Sequence, residues 1–341
     1  MDPAAALGES RRVWMMGKYQ YERRTHVPEG EVWAIVLAGG DGVRLQPLTS
    51  RLCGEARPKQ FCPLLDGETL LDRTRRRADM LVRGDRQVVA VTRSHERHYQ
   101  YLRAELAPGC LVVQPTNRGT GPGIVYSLLR ILELTGNVPV AILPSDHYVA
   151  DDSEFMGYVA RALSSLNGVP YALVLLGVEA THAETDYGWI EPTVGSLTIE
   201  GNAVFGIRRF WEKPSAAMAE KLLARGCLWN TFVMVGWARA LLDLVWATAP
   251  ELLAPFWRIR RAMGSRTEAA AIERVYRGLP SRSFSESVLA AAPGSLGVIR
   301  VRDVEWSDWG SVRRVVESLR RTGRRPDWLA DAESMRLASR G

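Results

Sequence analysis

The apolar run Val32 to Leu37 ends in Gly39-Gly40-Asp41-Gly42, and Arg44 follows at once. Glycines there let backbone N–H groups approach a polyanion closely, and the loop reads as a phosphate cradle. A second loop, Arg57-Pro58-Lys59-Gln60-Phe61, adds Lys59 to the charge of Arg44. Of the 44 basic residues only Lys18, Lys59, Lys213 and Lys221 are lysine, so a lysine at Lys59 and again at Lys213 marks places that call for a compact ammonium. Two common nucleotide loops are excluded. A P-loop ends in Gly-Lys-Ser/Thr, whereas Gly42 leads into Val43-Arg44, and a dinucleotide fingerprint needs a third small residue where Leu45 stands.

The rest of the chain repeats the strand–helix rhythm. Val32 to Leu37, Gln87 to Thr92, Leu111 to Gln114, Val138 to Leu143 and Tyr171 to Val178 read as strands. Helices are expected over Leu70 to Leu81, His95 to Leu106, Gly123 to Leu134, Ala216 to Arg225 and Ala238 to Ala247. The pattern predicts an α/β fold with a mostly parallel central sheet, interrupted by an antiparallel excursion between Gly188 and Phe210. No internal repeat is present, and no C-terminal β-helix is expected. The expected division is an N-terminal appendage at 1–30, a catalytic domain at 31–313 and a C-terminal helical tail at 314–341.

With 341 residues and 46% hydrophobic content the chain can bury a full core. The net charge of +6 is spread along it and suits an anionic small substrate; no nucleic-acid module is visible. Arg73 to Arg77 is expected on the solvated face of a helix, and Arg320 to Arg325 in an exposed tail. The four cysteines make no Cys-x-x-Cys and no zinc spacing, which suits a reducing cytoplasm. His95-Glu96-Arg97-His98 is one residue short of a zincin motif and reads as surface helix. No apolar run reaches membrane-span length and the first 30 residues lack a signal-peptide core, so a cytoplasmic protein with no membrane partner is expected.

Ligands of parallel sheets sit beyond the C-terminal ends of the strands, and three polar strings fall there. Gln114-Pro115-Thr116-Asn117-Arg118-Gly119-Thr120 carries side chains able to read a base edge. Asp146, in Pro144-Ser145-Asp146-His147, is a natural Mg²⁺ ligand beside a phosphate loop, with helix capping as the alternative. Asp308, in Trp306-Ser307-Asp308-Trp309-Gly310, is a second acid for a metal site in phosphoryl chemistry. Between them Tyr187-Gly188-Trp189, Trp211-Glu212-Lys213-Pro214 and Trp229-Asn230 mix aromatics with Glu, Lys and Asn, a combination that suits sugar recognition, with an ordinary buried core Trp as the alternative for any one of them. His147 reads as structural.

With these residues in place the chain resembles the sugar-1-phosphate nucleotidyltransferases, and among them looks most like the mannose-1-phosphate guanylyltransferases. The strings LAGGDGVRLQPLT, RPKQF, QPTNRGT, LPSDH, YGWIEP, FWEKP, WN and WSDWG carry the resemblance, in order, from about Val32 to about Val312. It implies the nucleotide-diphospho-sugar transferase fold, GTP and mannose-1-phosphate as substrates, and Mg²⁺ as cofactor. It further implies that Gly39, Gly40, Gly42 and Arg44 hold the triphosphate with Lys59 beside them, and that Gln114, Asn117 and Gly119 lie near the base. Asp146 and Asp308 would bind Mg²⁺, and Gly188, Glu212, Lys213 and Asn230 the sugar phosphate. Arg44, Lys59, Asp146 and Lys213 would be the catalytic set.

Three departures bear on base and sugar identity: Gly119-Thr120-Gly121-Pro122-Gly123 for Gly-Thr-Ala-Pro-Ala, Trp229-Asn230-Thr231-Phe232 for Trp-Asn-Ser/Ala-Gly, and Ser283-Phe284-Ser285-Glu286 where an acidic residue is usual. Open alternatives are a uridylyl-, thymidylyl- or cytidylyltransferase and a silent sugar-nucleotide sensor. A glycosyltransferase would need an Asp-x-Asp at a strand end, which is absent. A homodimer is left open.

Overall fold

The computed structural model describes residues 31–330 and 332. The 1–30 appendage lies outside the described residues. Nine strands form the central sheet: β1 (Trp33–Ala38), β2 (Gln87–Thr92), β3 (Leu111–Gln114), β4 (Pro139–Pro144), β6 (Leu173–Glu179), β7 (Gly188–Ile199), β8 (Asn202–Glu212), β9 (Leu228–Trp237) and β10 (Leu296–Val301). Their order across the sheet is β3-β2-β1-β4-β9-β6-β10-β8-β7. A two-stranded ribbon, β5 (Tyr148–Val149) with β11 (Trp306–Ser307), stands apart from it. The first four strands are parallel neighbours, as are β6 and β10, whereas β9 runs against both β4 and β6. The antiparallel excursion is the β7–β8 hairpin, which also borders β9 and β10.

β2 and β4 are buried along their whole length and β1 nearly so, which is why these strands read as unbroken apolar runs. Strand order reverses beside β1: β2 and β3 extend one way and β4 lies on the other side. The crevice beyond the ends of β1 and β4 is therefore the topological switch point, where open α/β sheets bind ligands. Ser145 closes its floor, its backbone N–H and hydroxyl both donating to the Leu37 carbonyl, at 3.0 and 2.7 Å.

Three expectations need correction. Arg73 and Arg77 are buried rather than solvated, because helix Leu70–Asp79 turns the side bearing Leu70, Arg73, Thr74 and Arg77 inward. Arg77 is accommodated there by Asp152, 2.7 Å away, and Arg73 by Asp66 and Glu68. The helix expected over His95 to Leu106 is broken into Glu96–Tyr99 and Leu102–Glu105, with Tyr101 tied to Asp72 at the break. His95 is buried, not on the surface: its ring packs edge-on to Phe61 and its Nε2 lies 3.3 Å from Asp41.

Of the expected tail at 314–341, the part up to Arg321 belongs to helix Val312–Arg321, which packs as part of the domain, and residues 333–341 lie outside the described residues. Val315, Val316 and Leu319 join Leu45, Leu48, Tyr148 and Trp309 in one apolar cluster, and Trp328 donates its indole N–H to the Leu64 carbonyl. Of the arginines expected in the tail, Arg321 is paired with Glu305 and Arg324 with Asp66. Spacing also gave no sign that Cys53 and Cys62 meet, yet their sulfurs are 2.6 Å apart. Among the described residues no helix is long and apolar enough to cross a membrane.

Candidate functional site

A cavity of about 450 Å³ opens at the switch point. Gly39, Gly40, Arg44, Lys59, Gln114, Asn117, Gly119, Asp146, Gly188, Glu212, Lys213, Asn230 and Asp308 all line it, brought together from across the chain. Gly42 does not. At φ 60° it adopts a left-handed turn in which a Cβ would meet the Lys59 amide nitrogen at 3.0 Å, so its role is to let the two basic loops touch. Gln60 fixes the glycine loop from beneath, its amide donating to the carbonyls of Ala38 and Gly40 at 3.2 and 2.6 Å.

Gln114 ends β3 with its amide oriented by a buried partner: the Tyr276 hydroxyl donates to Oε1 at 3.2 Å. Nε2 then faces Gly39 and Gly123, where added Cβ atoms would stand 2.9 and 3.1 Å from it. The glycine at 123 is what makes room for this amide. Asn117 is committed within the protein, its Nδ2 donating to Asp41 at 2.8 Å and its Oδ1 accepting from the Gly119 N–H at 2.9 Å. It joins the glycine loop to the third-strand loop.

The acidic centre is held by cations. Lys59, buried, places its ammonium 3.2 Å from Asp146 Oδ2 and donates also to the main-chain carbonyls of Asp308 and Trp309, the latter at 3.3 Å. It links the two carboxylate segments rather than standing free beside the glycine loop. Burial would push the Asp146 carboxyl up, but the Lys59 ammonium and His147 outweigh it and hold it below the usual range. His147, 3.5 Å from Asp146 and edge-on to Trp306, is pushed down by burial. Asp308 sits between Arg314, at 3.1 Å, and Arg44, at 3.5 Å.

Arg314 and Asp186 complete this network and were not picked out from sequence. Arg314 is buried over the Tyr187 ring and reaches Asp186 at 2.6 Å, and Asp186 in turn meets Arg44 at 3.2 Å. Asp186 precedes Tyr187-Gly188 directly, which was its one visible signal.

Strand register assembles the opposite wall. Gly188 pairs with Glu212 across the hairpin, and Trp189 pairs with Trp229 one residue before Asn230. A Cβ on Gly188 would stand 3.1 Å from Glu212 Oε2 and 3.3 Å from Asn230 Cβ, so glycine lets the two polar groups converge. Burial pushes the Glu212 carboxyl up, against the pull of Lys213. Lys213, Phe232 and Trp309 all take left-handed φ angles of 47°, 60° and 43°. Strained backbone of this kind costs on the order of 1–3 kcal/mol per residue and persists where surroundings over-determine it.

The aromatics play a different part from the one expected. Trp189, Trp229 and Trp309 are buried: Trp229 packs against Trp189, Tyr187 and His182, and Trp309 stacks on Tyr148. Among the described Tyr, Trp and Phe residues only Tyr187, Trp306 and Phe232 reach the cavity. The strand alternation that points the polar residues outward points the indoles into the core.

The described residues hold no cluster of three or more His, Cys, Asp or Glu side chains able to cage a metal. Asp146 and Asp308 are a hard-oxygen pair on one cavity, which suits Mg²⁺, an ion that takes one or two carboxylates and completes its shell with phosphate oxygens and water.

Known proteins share this architecture. The xanthan biosynthesis protein XanB of Xanthomonas campestris pv. campestris is 28% identical over 289 residues, 82% of this chain and 58% of that protein. A mannose-1-phosphate guanylyltransferase of Escherichia coli is 24% identical over 291 residues, 81% of this chain and 59% of that protein. The chain thus spans under two thirds of the length of these relatives. A crystal structure from Thermus thermophilus, described as a mannose-1-phosphate geranyltransferase, superposes with a TM-score of 0.72 at 28% identity, covering 85% of this chain and 79% of that one. With its glycine loop, acidic pair and hairpin wall inside one matched span, residues 33–322, the chain belongs to the nucleotidyl transferase family.

Proposed function

We propose that this cavity transfers a nucleotidyl group from a nucleoside triphosphate to a sugar-1-phosphate, with GTP and mannose-1-phosphate as the preferred pair. The observation that carries the reading is the layout of the one cavity: the glycine loop and Gln114 on one flank, Lys213, Glu212 and Asn230 on the other, Asp146 and Asp308 with them. The name of the Escherichia coli relative supports the choice of pair.

An oxygen of the sugar phosphate attacks the α-phosphorus in line, a new P–O bond forms, and the bond to the β-phosphate breaks with its electrons leaving on pyrophosphate. The attacking oxygen is already ionised at neutral pH, so no side-chain nucleophile or base is needed. What the protein must do is align two polyanions that repel each other and neutralise charge as they meet. Lys213 supplies a point charge on the sugar side and Arg44 on the nucleotide side. Lys59 sets the distance between the Asp146 and Asp308 segments. Asp146 and Asp308 would hold Mg²⁺, which when bound neutralises charge on the phosphates.

Pyrophosphate release measured across four nucleoside triphosphates and several hexose-1-phosphates tests the reading. GTP with mannose-1-phosphate should give the highest kcat/KM; glucose-1-phosphate with UTP or dTTP outperforming it refutes the pair. Asp146→Asn and Asp308→Asn should each abolish most turnover while thermal unfolding stays cooperative, and EDTA should mimic both. Near-normal Mg²⁺-dependent turnover in Asp308→Asn removes that residue from the metal site.

A further inference from the structure

A second cavity of about 530 Å³ shares no lining residue with the first. It lies between helix Asp152–Ser165, the start of β8 and the end of β10, and its wall carries Arg161, Arg300 and Arg302 with no carboxylate among the lining residues. Two of these guanidinium groups are braced on rings: Arg300 lies over Phe205 at 4.9 Å and Arg161 over Tyr158 at 4.7 Å. Neither has a carboxylate partner among the described residues. The Nε of Arg300 is buried with no acceptor at all. Arg302 is paired with Glu179 at 2.7 Å, an exposed pair that an incoming anion can exchange.

An orphaned buried donor on a ring-braced cation is costly unless something accepts from it. Guanidinium forks match the oxygens of a phosphate, and bracing lowers the ordering cost of binding one. The volume falls within the roughly 300–1,000 Å³ range of small-molecule sites, more than a bare ion fills. Phe205, Tyr158 and the amide of Asn202 offer apolar and polar surface for the remainder of a ligand. We infer that this cavity is a binding site for a small molecule carrying a terminal phosphate monoester, separate from the nucleotidyl-transfer cavity.

Calorimetric titration of the full chain with glucose 6-phosphate, adenosine 5′-monophosphate and inorganic phosphate tests this. At least one ester should bind wild type more tightly than inorganic phosphate does, and which ester wins distinguishes a sugar body from a nucleoside one. Arg300→Met should weaken that binding about tenfold or more, the loss of one charge-assisted contact. Arg161→Gln, on an exposed helix face and safe for folding, should weaken it several-fold, and circular dichroism establishes that Arg300→Met is folded. Three results overturn the inference: no probe binds, inorganic phosphate binds as tightly as both esters (an adventitious ion only), or binding survives both substitutions and so belongs elsewhere.

Discussion

Replacing Arg314 by methionine keeps the side chain's length and removes the charge that ties Asp308, Asp186 and Glu184 together. Of those partners Asp186 has a side chain 48% exposed and loses little, whereas Asp308 and Glu184 are 14% and 7% exposed and must carry the cost. Breaking a buried pair costs on the order of 3–5 kcal/mol; Arg313 and Arg44 remain beside the same carboxylates, so about 3 kcal/mol is expected. For a domain of about 300 residues that is a fall in Tm of about 5 °C.

The pH dependence has a definite sign. The Glu184 carboxyl is held at about 2, against 4.5 for a free one, first by His182, whose Nε2 lies 3.6 Å away, and then, against burial, by Arg314 and Arg313. A depressed carboxyl contributes stability that is present above the unfolded value and disappears as pH falls through the folded one. The Tm gap between wild type and Arg314→Met should therefore be full at pH 7 and narrower at about pH 3.5, where the unfolded carboxyl is largely protonated. Thermal unfolding followed by circular dichroism at the two pH values measures it. Turnover should fall about 100-fold, because Asp308 loses one of the two cations that flank it. A Tm shift below about 2 °C, or one equal at both pH values, means that Arg314 acts only as packing on Tyr187.

Lys213→Arg should raise KM for the sugar phosphate and lower kcat with nucleotide binding unchanged, since a planar fork on this left-handed residue displaces the attacking phosphate; Lys221→Arg on the helix Ala216–Ala224 is the silent control, and equal behaviour of the two defeats the argument. Tyr276→Phe frees the Gln114 amide to flip, so discrimination between purine and pyrimidine triphosphates should drop about tenfold for a stability cost of about 1 kcal/mol; unchanged selectivity means that the amide does not read the base. Gly119→Ala places a Cβ 2.5 Å from the Arg282 carbonyl at a φ of 82°, and should cost several °C in Tm together with nucleotide affinity, whereas Gly136→Ala, also at positive φ but with open space around it, should cost less.

The parallel half of the sheet was legible because its inner strands are buried along nearly their whole length and end in turn residues, and Gln87–Thr92 and the half-buried edge strand Leu111–Gln114 have the bounds their sequence suggests. The cavity was legible where chemistry is written in short strings at strand ends. What stayed hidden is carried by long-range pairing. Asp186 and Arg314 are separated by 128 residues and Lys59 and Asp308 by 249, and no local pattern announces such partners. A faint signal existed for the buried arginines. Arg314 shares a helix face with Ser318, and Arg73 and Arg77 share one with Leu70 and Thr74, so a basic residue on an inward stripe marks a waiting carboxylate. The tryptophans misled because an indole beside polar residues reads the same whether strand alternation turns it toward a ligand or into the core.

Lys59 has a consequence for how the protein is made. Its ammonium joins Asp146 to the main chain at Asp308 and Trp309, so the cavity is closed by residues that leave the ribosome long after those they join. At about 5–20 residues per second, the interval between Asp146 and Asp308 is roughly 8–30 seconds. Throughout that interval Lys59 has one of its partners and the carboxylate pair has one member. Asp308 takes its place on the cavity with helix Val312–Arg321 docked on Leu45 and Leu48. A chain cut before Asp308 keeps the glycine loop and Asp146 but lacks the second acid and the carbonyls that Lys59 joins to it.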